Sequence, residues 1–422
     1  MNRVVEPGRG AQRRSTTRIP DGAYIPAGSQ AGTQPAWFHA WTETPHDAPA
    51  HEVDVLVIGG GQAGIASAYE LRRRGFAGYA KGKKGRGTFA VLDAEVRPGG
   101  AWQHRWPSLT METVNHIADL PGLPVGEFEP KVEAAQFVPT YFTDFEDAFD
   151  LPILRPAMVF DVEDAGDPEE GIDGDGVRRL RVNSSIGTWL VKAVINCTGT
   201  WTRPFIPFYK GADTYRGQQF HTQSYPGAAA FRGKRVLIVG GGISALGHLD
   251  EVSQTAKSVV WATRTPPRWK DVGFVSNGRG LTAEIGMEIE KSVRARVEAG
   301  LRPRPVVAET GLPINDMVRA MRARGVLDRK PMFDRLDTWG AWWGDDFEEF
   351  DAIIWATGFR AELRHLAPLK LRSKHGGVTM VRNHSKVDPR VHLVGYGPSA
   401  STVGARWAAR NVVADIIKQL DR

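Results

Sequence analysis

Two glycine turns dominate the chemistry this sequence can carry. Gly59-Gly60-Gly61-Gln62-Ala63-Gly64 follows the apolar run Val53–Ile58, and Gly240-Gly241-Gly242-Ile243-Ser244-Ala245 follows Arg235–Val239. A buried strand, such a turn and then a helix form a phosphate-binding unit for a physical reason. The first glycine (Gly59, Gly240) permits the tight turn, and the second (Gly61, Gly242) lets the backbone approach a pyrophosphate. The third (Gly64, replaced by Ala245 in the second copy) lets helix and strand pack closely. The helix start, where Ser244 also lies, offers unpaired N–H groups and the positive end of a dipole to the phosphates.

What ends the next strand separates the two sites. Thr88–Leu92 runs into Asp93, whose carboxylate accepts from a ribose hydroxyl and repels a 2′-phosphate, so the first unit suits FAD or NAD. Asp93 lies 34 residues beyond Gly59, where about 20 is usual, and the basic loop 78–87 is read as the insertion responsible. The second copy's strand, Ser258–Ala262, ends in Thr263-Arg264 with no acid. A guanidinium there favours a 2′-phosphate and points to NADPH.

Other reactive groups are few. His221 is a candidate acid–base residue, although a histidine between strands also serves as a structural hydrogen bonder. Cys197 stands alone, which excludes a disulfide framework, a cysteine-based zinc site and the cysteine pair of a flavin disulfide reductase. With neither GxSxG nor HExxH, no nucleophile–base pair or zinc site is expected and no metal is assigned; bound cofactors must supply the chemistry.

The elements that position these groups belong to an ordinary globular chain of 422 residues, 41% hydrophobic and 24% charged, long enough for two to three domains. The two βαβ units stand one domain length apart. The net charge of +6 is concentrated in residues 1–20 and 81–87, leaving a near-neutral body with no expected nucleic-acid partner. No apolar run reaches the length of a membrane span, and Arg13-Arg14 is not followed by an apolar export segment. Residues 1–50 read as a flexible tail and the expected address is cytoplasmic. Trp339, Trp342 and Trp343 could line an aromatic pocket, form a lid, or pack as plain core.

Three further motifs carry a family resemblance. Arg97-Pro98-Gly99-Gly100-Ala101-Trp102 follows the second strand. Tyr215-x-Gly217-x-x-x-His221-x-x-x-Tyr225-Pro226 precedes the second glycine turn, and Ala356-Thr357-Gly358-Phe359 ends a later strand. From about residue 53 to 420 the chain resembles the class B flavoprotein monooxygenases, which include flavin-containing, N-hydroxylating and Baeyer–Villiger branches. The resemblance implies an α/β fold with two Rossmann-like dinucleotide-binding domains. A glutathione-reductase-like FAD domain (51–205 and 350–422) would hold an inserted NADPH domain (206–349), with 275–345 as a lid or substrate segment. Gly199 and Gly358 would mark the crossings, and Gly100, Trp102, Thr357, Gly358 and Gly397 would approach the cofactors. It also implies a cycle in which NADPH reduces the flavin and a C4a-(hydro)peroxyflavin transfers one oxygen atom of O2 to a small organic substrate. Tyr225, where Baeyer–Villiger members carry Trp, tilts the reading toward N- or S-oxygenation. The alternatives are a Baeyer–Villiger enzyme or a reductase passing electrons to a protein partner. An active-site Asn of the family falls on Glu112, with Asn115 three residues on.

Overall fold

The computed structural model describes residues 50–81, 85–114, 117–166, 178–270, 283–304, 311–400 and 402–421. Most of the expected tail, residues 1–49, lies outside them, as do residues 82–84 of the basic loop.

Strand β1 (His51–Ile58) leads through the first glycine turn into α1 (Gln62–Arg73) and on to β2 (Gly87–Leu92). The inner residues of β1, Val55 to Val57, are fully buried, as a parallel strand covered on both faces requires. The spacing before Asp93 has a structural cause: Phe76–Gly78 adds a parallel edge strand beside β2. Helix α2 (Ala134–Ala148) follows, and β3 (Gly187–Asn196) returns parallel to β1 on its other side.

The chain then builds a second sheet. In it, β4 (Gln218–His221), β5 (Arg235–Val239), α3 (Ile243–Val252), β6 (Ser258–Ala262) and β7 (Ala352–Trp355) appear in chain order. All strand pairings in this five-stranded sheet are parallel, with β5 between β6 and β7. Finally β8 (Val391–Leu393) rejoins the first sheet parallel to β3, and α4 (Thr402–Leu420) closes the fold. Packing explains that closure. Val412, Val413 and Ile416 of α4 join Ala68 and Leu71 of α1 over Val55 and Val57, while Leu56, Ile58 and Leu393 face the opposite layer.

One expected boundary is corrected. A first domain resuming at 350 would include strand β7, yet Ile353 pairs with Leu237 and with Gln219, inside the second sheet. Its register is anchored by Asp351, which accepts from the Arg235 backbone N–H at 2.8 Å and from its guanidinium at 2.7 Å. The second sheet therefore continues through Trp355, and the return crossing begins at Ala356. The tryptophans of the proposed lid lie on an antiparallel meander, Arg335–Asp337, Gly340–Trp343 and Asp346–Glu349. Trp343 packs on Phe333 and Phe350, Trp342 on Phe347, and Trp339 is exposed. No described helix is long and apolar enough to cross a membrane.

Candidate active site

The first glycine turn sits at the carboxyl end of β1. Gly59 has φ +99°, and a methyl group on it would lie 2.8 Å from the Cys197 carbonyl oxygen at the end of β3. A methyl at Gly64 would stand 1.8 Å from the Gly59 carbonyl oxygen. These two positions admit only glycine. Gly61 is different: its Cβ direction is open apart from the Gly100 Cα at 4.0 Å. Gly100 (φ +49°) faces it so closely that a methyl there would reach 2.9 Å from the Gly61 Cα. The structure thus brings Gly61 and the Gly99–Trp102 segment together, a juxtaposition of residues 39 apart in sequence. No side chain caps α1 at Gly61 or α3 at Gly242, so both helix starts keep donors for an anion.

Asp93 stands where expected, at the end of β2 beside the turn, and is buried. Arg155, which sequence reasoning missed, donates from Nε to its carboxylate at 2.6 Å and binds Glu146 through both terminal nitrogens at 2.6 and 2.8 Å. Burial pushes the Asp93 carboxyl upward and the Arg155 charge opposes it. The trio pre-orients Asp93.

The second turn repeats the logic. A methyl on Gly240 (φ +141°) would lie 2.2 Å from the Ala356 carbonyl oxygen at the end of β7. Ala245 is fully buried in the position of the third glycine, Gly242 has open space at its Cβ, and Ser244 is half-buried beside them. Arg264 is exposed at the end of β6 and makes no ion pair with a described residue, leaving its charge for a ligand.

Each turn therefore abuts the strand end from which the chain crosses to the other domain, and the crossings run side by side. Phe205 N–H donates to the Gly358 carbonyl at 3.0 Å, and Arg360 N–H to the Arg203 carbonyl at 2.8 Å. The Thr357 hydroxyl is used here, donating to the Phe205 carbonyl. Trp201 and Phe359 stack at 5.1 Å across the pair.

His221 is buried at the end of β4. Gln223 N–H donates to its Nδ1 at 3.1 Å, and its Nε2 lies 2.9 Å from the Gly358 carbonyl, which fixes Nε2 as the protonated nitrogen. Burial lowers its pKa to about 4 against the Gly358 bond, which raises it. Both nitrogens are bonded to backbone, which holds the ring against the return crossing. Cys197 is packed beside Ser67, and burial pushes its thiol up to about 12. Tyr225 donates to Glu251 at 3.0 Å, and the Ser108 hydroxyl donates to the same carboxylate at 2.8 Å. That fingerprint residue docks the 106–108 segment on α3. Gly397 (φ +61°) packs on Val297. Glu112 is exposed on a turn, and Asn115 lies outside the described residues.

These residues fit two dinucleotides: an open glycine cradle with an acid at the first site, and a glycine turn with a free guanidinium at the second. Comparison with known proteins agrees. The model of the flavin-binding monooxygenase-like family matches residues 107–276. A solved flavin-containing monooxygenase from Stenotrophomonas maltophilia is 33% identical, with a TM-score of 0.70, covering 87% of this chain and 99% of that one. An uncharacterized CzcO-like oxidoreductase of Geobacillus kaustophilus is 28% identical over 48% of this chain, and a Baeyer–Villiger monooxygenase of Streptomyces coelicolor 26% over 52%. The matches span 52% and 40% of those two relatives. With the fold, both turns and the near full-length structural match in agreement, the chain belongs to the flavin-containing monooxygenase family, within the class B flavoprotein monooxygenases.

Proposed function

We propose that this protein is an NADPH- and FAD-dependent monooxygenase that inserts one oxygen atom of O2 into a nitrogen or sulfur atom of a small organic substrate. The second oxygen atom leaves as water, with NADPH as the two-electron donor. One observation carries the reading: both glycine turns abut the two interlocked crossings, which supports a common cleft for the two coenzymes.

FAD would be held by Gly59, Gly61, Gly64 and Asp93, with Gly100 and Trp102 along it, and when bound it supplies the hydride-accepting and oxygen-activating chemistry. NADPH would be held by Gly240, Gly242, Ser244 and Ala245, with Arg264 on its 2′-phosphate. Thr357 and Gly358 set the return crossing, and Gly397 shapes the loop after β8. His221 acts as a positioning residue: its Nε2–H holds the Gly358 carbonyl and so the approach of one coenzyme to the other. The stacked Trp201 and Phe359 offer an aromatic face at the crossings that would keep water from the reacting atoms. The FAD domain would span 51–205 and about 357–422, with the NADPH domain between.

The test is product analysis. NADPH oxidation is followed with thioanisole, N,N-dimethylaniline and cyclohexanone. Sulfoxide or N-oxide, formed in proportion to NADPH consumed, is the expected result. Lactone from the ketone alone would establish the Baeyer–Villiger reading, and electron transfer to an added ferredoxin without oxygenated product would establish a reductase.

A further inference from the structure

The segment that approaches the flavin turn ends in a cation with no counter-ion. The Arg105 guanidinium carbon lies 4.3 Å from the Trp201 ring centroid and 5.2 Å from that of Trp102. Trp201 stacks in turn on Phe359 and lies over His104 at 6.4 Å. Arg105 is therefore held where the Gly99–His104 segment meets both crossings. No described carboxylate pairs with it, its Nε is buried without a hydrogen-bond partner, and burial lowers its pKa to about 10. Of the flanking acids, Glu95 is taken by His104 at 2.8 Å, and Glu112 is exposed on a turn with no ion pair to Arg105 among the described residues. Indole faces stabilise a positive charge but accept none of its hydrogen bonds in the plane, so the fork of the guanidinium remains available to an oxyanion.

A second observation has the same sign. Arg203 and Arg360, on the two bonded crossings, are both held below the usual arginine range, chiefly by burial; Glu362 opposes this at Arg203, while the charge of Arg372 adds to it at both. Arg302 adds to this at Arg360, and the acid among them, Glu362, is bound by Arg364 at 2.6 Å. Arg203, Arg360, Arg364 and Arg372 thus outnumber the one acid Glu362 about the crossings, and an excess of positive charge concentrates anions.

We propose that Arg105 anchors a carboxylate on the organic substrate, so that the enzyme acts on acidic small molecules that present the oxidisable atom from an apolar body lying against Trp201. This rests on the monooxygenase reading above and narrows its substrate class. A coenzyme phosphate is the competing source of the oxyanion.

Binding separates the possibilities without turnover. The FAD-loaded full chain is titrated with 4-(methylthio)benzoate and with thioanisole, following tryptophan fluorescence, with NADP⁺ titrated in parallel. The acid binds about tenfold or more tightly than the neutral sulfide, as a charge-assisted pair predicts. Arg105→Gln abolishes the preference, and Arg105→Lys, which keeps the charge without the fork, retains part of it; flavin content and NADP⁺ affinity stay at wild-type level in both. Should Arg105→Gln misfold, the Lys variant and selective loss of acid binding in high salt carry the test. Equal binding of acid and neutral probe by the wild type overturns the proposal. So does an Arg105→Gln protein that loses FAD or NADP⁺ but keeps the acid preference, since the cation then serves a coenzyme. An acid preference that depends on Arg105, with no oxygenated product from any sulfide, amine or ketone, upholds the anion site and overturns the monooxygenase reading instead.

Discussion

The Thr198 hydroxyl donates to the carbonyl of Glu362 at 2.6 Å, joining residues 164 apart in sequence. Thr357 returns the contact by donating to Phe205. Each threonine ends a central strand of one sheet and bonds the crossing that belongs to the other, so the pair couples the orientation of the two dinucleotide domains. Thr198→Val removes a donor and costs about 1 kcal/mol. It also loosens the geometry of hydride transfer more than it weakens either coenzyme. Stopped-flow bleaching of oxidised flavin by NADPH is expected to slow severalfold at unchanged NADP⁺ affinity; a wild-type rate would remove the crossings from any role in alignment.

Gly64 and Gly61 separate folding from flavin binding. Gly64→Ala drives a methyl group to 1.8 Å from the Gly59 carbonyl oxygen, an overpacking expected to cost about 3 kcal/mol or more. Its thermal midpoint falls steeply. Gly61→Asp meets open space and is tolerated by the fold, while its carboxylate opposes the pyrophosphate. That protein is expected to melt near the wild-type apoprotein and to purify without colour. A yellow, fully loaded Gly61→Asp protein would relocate the flavin.

What was legible in the sequence was local. The βαβ units could be read from residues adjacent in sequence. What was not legible depended on partners far along the chain. Arg155 meets Asp93 across 62 residues; the available signal was Glu146, an acid on the buried face of α2 beside Phe142 and Phe145. Strand β7 is easily assigned to the wrong sheet because apolar composition does not reveal which strand it pairs with; that choice is made by Asp351 capping Arg235. The motif histidine could be read by type alone, and its bond to the carbonyl of Gly358, 137 residues away, could not.

Arg264 sets the choice of nicotinamide coenzyme in this reading. Its guanidinium, exposed at the end of β6, meets the phosphate that NADH lacks. Arg264→Ala is expected to lower kcat/KM for NADPH by about 1–3 kcal/mol, roughly 5- to 150-fold. The value for NADH is expected to stay within twofold. Parallel steady-state assays with the two coenzymes decide it: equal losses would take Arg264 off the 2′-phosphate.

Acid stability follows from buried histidines. Burial lowers His221 and His365 to about 4, and His248 and His392 to about 3. Each has a folded value below its unfolded one of 6.5, so between 6.5 and 4 the unfolded chain binds protons that the native state refuses. Stability is therefore intact above about pH 7 and declines as pH falls through that window. Each histidine contributes a loss of up to about 1.4 kcal/mol per pH unit. Denaturant midpoints between about pH 8 and 5 should fall with a slope equivalent to about three to four protons taken up near pH 5.5. His392→Gln, at a site where Nε2 lies 3.4 Å from Gln419, should reduce that slope by about one proton. A flat profile between about pH 7 and 5 would mean that these rings are charged in the native protein, and would reopen His221 as a proton carrier.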